Sequence, residues 1–136
     1  MLVALVDDDE AVRAAMGSLL RAHGHDVCAF ASAEAFVLAQ LRPTCLVLDN
    51  RLAAMTGLEL HLHLERSRRL APVIFVTSSE ESTAELDALV ARGVAVAHFR
   101  KPFDVAEFLV AIEKAGASQN VSDSSTSYTP ASGSVN

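Results

Sequence analysis

The sequence is poor in basic residues and contains no long apolar run. Its 11 Lys and Arg residues are outnumbered by 17 Asp and Glu residues, and the formal net charge of −6 argues against direct binding to nucleic acid or to an anionic membrane surface. No apolar stretch approaches the length of a membrane span. The N-terminal segment, MLVALVDDDE, lacks the basic region and the cleavage site of a signal peptide. We therefore expect a cytoplasmic protein.

Cysteine is also scarce. The two cysteines, Cys28 and Cys45, each lie in a short apolar run. We interpret both as small buried hydrophobic residues, because two isolated thiols in a cytoplasmic chain indicate neither a disulfide framework nor a metal site.

Apolar residues are abundant and follow a repeating pattern. At 136 residues and 51% hydrophobic content, the chain is long enough for one compact domain. Five strand-length apolar runs alternate with longer segments of helical spacing, and the runs are residues 2–6, 26–30, 45–49, 73–77 and 96–100. This order predicts a doubly wound α/β fold of the flavodoxin-like class. We expect a five-stranded parallel sheet in the order 2-1-3-4-5, with helices on both faces.

The composition changes abruptly near residue 116. Residues 117–136 are rich in Ser and Thr and contain few aliphatic side chains. Such a segment cannot bury enough apolar surface to offset the entropy cost of ordering it. We therefore predict a folded domain over residues 1–116 and a disordered tail over residues 117–136.

Acidic residues stand at the ends of two predicted strands. Asp7 and Asp8 follow the first strand, and Asp49 closes the third, which is its neighbour in the predicted order. Three carboxylates at one edge of a sheet repel one another unless a cation is bound. Hard oxygen ligands favour Mg²⁺, or Mn²⁺ in its place. Asp9 is interpreted differently, as the residue that starts the first helix.

A hydroxyl and an ammonium group are predicted at the same edge. Thr77 ends the fourth strand, and Lys101 lies just past the fifth. Together with a metal ion they would offset the charge of a phosphoryl group. The chemistry that these groups indicate is attack by an aspartate on phosphorus, which gives an aspartyl phosphate.

Four motifs carry a resemblance to the receiver domain of two-component response regulators over residues 1 to about 116. In chain order they are LVDDDEAVR, LVLDNRLAAMTGLEL, VIFVTSS and FRKPF. The resemblance implies that Asp49 accepts a phosphoryl group from a sensor histidine kinase or a histidine phosphotransfer protein. It also implies that Asp8, Asp49 and the backbone carbonyl of Arg51 bind Mg²⁺ directly, while Asp7 acts mainly through water.

The same resemblance assigns roles to residues around the phosphoryl group. Thr77 would contact a phosphoryl oxygen and shift on phosphorylation, Lys101 would pair with the phosphate, and the bond from Lys101 to Pro102 is expected to be cis. The family usually has Tyr or Phe as a switch residue three positions before the lysine, where this chain has His98, followed by Phe99. The alternative for His98 is a half-exposed histidine on an edge strand.

The resemblance implies a signalling protein and not an enzyme, although a receiver assists its own phosphotransfer and dephosphorylation. Its output would be contact with a downstream protein, through the face formed by the fourth helix, the fifth strand and the fifth helix. We expect a monomer, or a weak homodimer through that face, with no direct contact to nucleic acid or membrane.

Two alternatives remain open at this point. One is a pseudo-receiver that binds partners without being phosphorylated, which the replacement of the family's common Pro and Gly by Ala53 and Ala54 weakly favours. The other is a phosphohydrolase of the haloacid-dehalogenase type, with Asp7 as its nucleophile. Labelling of Asp7 in place of Asp49 would indicate the hydrolase.

The remaining histidines are interpreted as surface residues. His61 and His63 are two positions apart and diverge on a helix, while His23 and His25 flank a glycine in a predicted turn.

Overall fold

The computed structural model describes residues 1–78, 80–81 and 83–126, and from residue 118 onward it describes the course of the backbone alone. Its five strands form one parallel sheet in the order β2-β1-β3-β4-β5, which confirms the predicted fold. The strands are β1 (Leu2–Val6), β2 (Asp26–Phe30), β3 (Cys45–Asp49), β4 (Val73–Thr77) and β5 (Ala97–Arg100). Every residue of β3 and β4 is buried, as their continuous apolar runs predict.

Five helices connect and follow the strands. They are α1 (Glu10–Ala22), α2 (Ala33–Ala39), α3 (Gly57–Arg66), α4 (Ala84–Ala91) and α5 (Val105–Thr126). Asp9 caps α1, where its carboxylate accepts hydrogen bonds from the backbone N–H groups of Ala11 and Val12, and this confirms its predicted role. Within the described part of the chain, no helix combines the length and the apolar character needed to cross a bilayer.

The helices cover both faces of the sheet. On one face α2, α3 and α4 bury residues such as Phe36, Leu60 and Leu86 against alternate positions of the strands. On the other face α1 and α5 bury Leu20 and Phe108 against the remaining positions. Because successive strand residues point to opposite faces, each central strand contributes to both apolar clusters.

Both cysteines are free thiols, as predicted, but only Cys45 is buried, whereas Cys28 on the edge strand β2 is half-buried. Cys28 lies on β2 and Cys45 on β3, with β1 between them. Burial raises the pKa of the Cys45 thiol to about 12. Cys45 is therefore a small apolar core residue in chemical terms.

The end of α5 differs from the sequence prediction. The helix continues to Thr126, so the boundary predicted at residue 116 falls inside it. Residues 117–126 contain neither Gly nor Pro. A helix already nucleated by its packed part can propagate into such a polar segment at little further cost. The rest of the predicted tail, residues 127–136, lies outside the described residues.

Two histidines predicted at the surface have buried side chains. His61 is only 2% exposed, and its ring meets Phe75 edge-on with 5.9 Å between the ring centroids. His61 lies on the buried face of α3 together with Gly57, Leu60 and Leu64. The surface prediction was wrong because it considered the spacing between His61 and His63 and not the position of His61 beside Leu60 and Leu64. His25 as a residue is half-buried, but its side chain is only 8% exposed, and its Nε2 lies 3.3 Å from the Glu113 carboxylate on α5.

The burial of His61 predicts a pH-dependent stability. Burial lowers the pKa of His61, and the nearby charge of Glu65 only partly opposes this effect. Below about pH 6.5 the His61 side chain therefore binds a proton in the unfolded chain more readily than in the folded chain. We expect wild type to lose stability relative to His61→Phe as the pH falls below about 6.5, by at most roughly 1.4 kcal/mol per pH unit. Urea unfolding at a series of pH values measures this difference. His23→Gln, at an exposed histidine, is the control, and parallel pH profiles for wild type and His61→Phe would contradict the prediction.

Gly57 allows α3 to approach the end of β3. A Cβ atom at Gly57 would lie 2.9 Å from the backbone oxygen of Asp49 and 3.1 Å from the Cα atom of Asn50. We predict that Gly57→Ala lowers the free energy of unfolding by more than about 1 kcal/mol, because backbone atoms cannot yield as a side chain can. Gly17→Ala is the matched control, since its nearest neighbour is the flexible side chain of Arg21. Equal stability of the two variants in thermal unfolding would contradict the prediction. It would mean that α3 can move away from the end of β3 to make room for the added Cβ atom.

Candidate functional site

Three carboxylates meet at the carboxyl edge of the sheet. Asp7 and Asp8 follow β1, and Asp49 is the last residue of β3. Because β1 and β3 are adjacent and parallel, both strands end at the same edge. One carboxylate oxygen from each residue lies within 4.8 Å of the others. The structure thus brings together the three acids that the sequence singled out.

The backbone fixes two of these carboxylates. Asp7 is 5% exposed and Asp49 is 8% exposed, whereas Asp8 lies in solvent. The N–H of Asp9 donates to Asp7 Oδ1 at 2.9 Å, and the N–H of Arg51 donates to Asp49 Oδ1 at 3.1 Å. Each buried acid therefore has one oxygen held in the loop and the other available to the site.

Lys101 faces both buried carboxylates from the far end of the domain. Its Nζ lies 3.2 Å from Asp7 Oδ2 and 3.8 Å from Asp49 Oδ2. The backbone places it there, since the Lys101 N–H donates to the Thr77 carbonyl at 2.8 Å. The bond from Lys101 to Pro102 is cis, as the family resemblance implied.

The single lysine does not neutralise the acids. The pKa of Asp49 is raised from its ordinary value to about 6, chiefly by burial. The charges of Asp7 and Asp8 act in the same direction. The hydrogen bond from Arg51 and the charge of Lys101 oppose them without cancelling the shift. The site therefore carries excess negative charge that a cation would relieve.

The loop after Asp49 closes without the family's common Pro and Gly. Arg51 forms an isolated antiparallel bridge with Thr56, and the Gly57 N–H donates to the Asn50 carbonyl at 2.9 Å. Ala53 and Ala54 lie exposed between these ties. Backbone pairing and the close approach of Gly57 thus hold the loop that contains Arg51.

Thr77 and His98 are in direct contact. Thr77 is fully buried, and its Oγ1 lies 2.7 Å from His98 Nε2. The His98 side chain is 7% exposed, and the residue as a whole is half-buried on the edge strand β5. Its neighbour Phe99 points to the opposite face of the sheet, where it packs against Phe103 and Phe108 at centroid distances of 5.5 and 5.8 Å. Phe99 therefore does not replace His98 next to Thr77.

Sequence reasoning missed several residues that support the site. The Arg13 guanidinium donates to the Asp7 carbonyl at 2.8 Å. The Asn50 side chain donates to Glu81 Oε2 at 3.1 Å, and Glu81 Oε1 accepts from the Ser78 N–H at 3.1 Å. Asp87 accepts a hydrogen bond from His98 Nδ1 at 2.9 Å. Asn50 and Arg13 stand close in sequence to Asp49 and Asp7, which is a signal that could have found them. The contacts of Glu81 with Asn50 and of Asp87 with His98 join different elements and depend on how these pack.

Comparison with known proteins identifies a family for this site. The family model of the response regulator receiver domain matches residues 3–113. The chain is 36% identical over 116 residues to the response regulator protein TmoT of Ectopseudomonas mendocina, an alignment that covers 84% of this chain and 52% of TmoT. It is 34% identical over 115 residues to the transcriptional regulatory protein FixJ of Rhizobium meliloti, with coverage of 83% of this chain and 55% of FixJ. The chain thus spans about half the length of these curated relatives.

Solved structures give the same result. The response regulator StyR superposes with a TM-score of 0.76 at 30% identity, over 90% of this chain and 63% of StyR. The N-terminal part of FixJ superposes with a TM-score of 0.74 at 31% identity, over 85% of this chain and 93% of that structure. The chain therefore belongs to the response regulator receiver domain family of two-component signalling systems.

Proposed function

We propose that this receiver accepts a phosphoryl group on Asp49 from the phosphohistidine of a sensor histidine kinase or a histidine phosphotransfer protein. The observation that carries this proposal is the cluster of Asp7, Asp8 and Asp49 with the Lys101 ammonium beside it. An Asp49 oxygen attacks phosphorus, and the bond from phosphorus to the imidazole nitrogen of the donor breaks as the new bond forms. Lys101 offsets part of the charge on the transferred group.

The donor set fits Mg²⁺ or Mn²⁺, which prefer hard oxygen ligands. Asp8 and Asp49 would bind the ion directly together with the backbone carbonyl of Arg51. Asp7 would act through water, because its two oxygens already accept hydrogen bonds from the Asp9 N–H and from Lys101. Once bound, the ion would offset negative charge on the acids and on the phosphoryl oxygens.

Signalling would follow from Thr77 and His98. Thr77 donates to a phosphoryl oxygen, and His98 acts as the switch residue that responds to the position of Thr77. A downstream protein would read the change on the α4-β5-α5 face. The exposed side chains of Val105 and Val110 on α5 offer apolar surface to such a partner. In this proposal the receiver is cytoplasmic, is a monomer or a weak homodimer through the same face, and does not itself contact nucleic acid.

Phosphorylation by a small phosphodonor tests the function. We expect wild type incubated with acetyl phosphate and Mg²⁺ to gain one phosphoryl group, which peptide mapping by mass spectrometry would locate at Asp49. Asp49→Asn should abolish the label. Asp9→Asn is the matched control, because it removes one charge from the same acidic triplet and keeps a residue able to cap α1.

Other outcomes of this experiment would contradict the proposal. Label on Asp7 would indicate the phosphohydrolase of the haloacid-dehalogenase type. Failure of wild type to form any Mg²⁺-dependent acyl phosphate, from acetyl phosphate or from a panel of histidine kinases, would indicate a pseudo-receiver.

The raised pKa of Asp49 predicts that the metal-free site destabilises the fold at neutral pH. The folded Asp49 carboxyl holds its proton up to about pH 6, whereas the ordinary pKa of an aspartate side chain is 3.8. The loss of stability caused by ionised Asp49 in the folded state is therefore absent below about pH 4 and fully present above about pH 6. We expect Asp49→Asn to raise the free energy of unfolding by roughly 1–2 kcal/mol relative to wild type at about pH 7.5 without metal. This difference in stability should disappear as the pH is lowered.

Addition of Mg²⁺ completes this test. Mg²⁺ should stabilise wild type in thermal unfolding, because it binds the folded acids and not the unfolded chain, and should stabilise Asp49→Asn much less. Asp9→Asn should respond to Mg²⁺ as wild type does. A stability difference between wild type and Asp49→Asn that does not change with pH would contradict the electrostatic origin of the penalty.

A further inference from the structure

A chain of hydrogen bonds leads away from the acid cluster to helix α4. His98 Nε2 lies 2.7 Å from Thr77 Oγ1, and His98 Nδ1 lies 2.9 Å from Asp87 Oδ1. The second oxygen of Asp87 accepts from the Thr83 hydroxyl at 2.9 Å. We call these four residues, Thr77, His98, Asp87 and Thr83, the α4 relay. It joins the end of β4, the edge strand β5 and the first turn of α4.

The direction of each hydrogen bond in the α4 relay follows from Asp87. The pKa of Asp87 is lowered, chiefly by the hydrogen bond from His98 and then by that from Thr83, so its carboxylate only accepts. His98 Nδ1 must therefore carry a hydrogen. In the neutral ring Nε2 is then bare, and it accepts the hydroxyl proton of Thr77. Asp87 thus determines, through His98, where the Thr77 proton points.

This arrangement makes two acceptors compete for one proton. Thr77 has a single hydroxyl hydrogen, and its Oγ1 is fully buried beside His98. An ionised phosphoryl oxygen on Asp49 can only accept a hydrogen bond. Thr77 therefore cannot donate to such an oxygen while it donates to His98.

Helix α4 depends on the same hydrogen bonds. Thr83 is at the N-cap position of α4, yet its side chain makes no capping hydrogen bond and donates to Asp87 instead. Arg100 on β5 donates to the Thr83 hydroxyl oxygen at 3.0 Å. Among the residues of α4 only Leu86 is buried. Leu89 and Val90 of α4 also pack against the core cluster that contains Leu86 but stay half-buried, so the side-chain hydrogen bonds to His98 and Arg100 add to the attachment of α4 to β5.

We propose that Asp87 is a positioning residue of the phosphoryl site. Through His98, Asp87 holds the Thr77 hydroxyl away from Asp49. Filling of the site is thereby coupled to release of α4. This inference rests on the function proposed above, in which Thr77 donates to the phosphoryl group. The coupling is reciprocal: filling of the site weakens the α4 relay, and a variant that weakens the relay strengthens binding at the site.

Beryllofluoride, an analogue of the phosphoryl group, provides the binding test. Titration with beryllofluoride in excess Mg²⁺ should give a dissociation constant about three- to tenfold lower for Asp87→Ala than for wild type, the effect of losing one charge-assisted hydrogen bond. Asp87→Asn should fall between them, because its side-chain oxygen still accepts from His98. Glu85→Gln is the matched control, since it removes an exposed acid from the same turn of α4 and should leave the constant unchanged.

A double-mutant cycle shows whether Asp87 acts through His98. His98→Phe keeps an aromatic ring and removes both nitrogens, so it should tighten beryllofluoride binding by itself. Asp87→Ala should then have no further effect in the His98→Phe background. An effect of Asp87→Ala that persists there would overturn the proposal.

NMR of the His98 ring nitrogens measures which nitrogen carries the hydrogen. This tautomer would not change if Asp87 only stabilised the fold. Wild type should show the tautomer with hydrogen on Nδ1, and Asp87→Ala should shift the population toward hydrogen on Nε2. Unchanged or weaker beryllofluoride binding by Asp87→Ala would overturn the inference, as would an unchanged tautomer. If wild type itself fails to bind beryllofluoride, the proposed function fails instead, so the two failures are distinguishable.

Discussion

The burial of carboxylates close to one another at one edge of the sheet is the constraint on which this structure depends. Parallel strands β1 and β3 end at the same edge, so the sheet itself forces Asp7, Asp8 and Asp49 together. Burial is the main cause that disfavours the charged form of Asp49, the charges of Asp7 and Asp8 add to it, and Lys101 opposes it only in part. The two apolar clusters that cover the sheet must supply the stability that this edge removes. In the proposed function, the same negative charge would favour the binding of a cation.

The fold and the acid cluster were predictable because both follow from local patterns and one topological rule. Each central strand is a continuous apolar run, and two of these runs are closed by acids. Once the alternation of strands and helices indicates a parallel sheet, the carboxyl ends of neighbouring strands must meet. The same rule predicted Lys101 at this edge, because it lies just past the fifth strand, whereas its pairing with a phosphate was implied by the family resemblance.

The residues that could not be predicted lie on helices. The sequence does not determine how far such a helix is rotated about its axis or how far it lies from the sheet. His61 is polar by type, yet the stripe of α3 that contains Leu60 and Leu64 carries it into the core. Asp87 looks like an ordinary acid in the first turn of a helix, and only the packing of α4 beside β5 brings it to His98. The extent of α5 is a different case, because polar composition predicts weak packing and does not by itself end a helix.

A histidine beside Thr77 changes what a switch residue can transmit. Tyrosine has one polar atom at its tip and phenylalanine has none, so neither ring can join Thr77 to a second acceptor on α4. The two nitrogens of His98 lie on different sides of its ring, and one contacts Thr77 while the other contacts Asp87. In the proposed relay, a change in the partner of Thr77 would alter hydrogen bonding at α4 even if the ring does not rotate. In this receiver polar contacts connect α4 to Thr77 through His98.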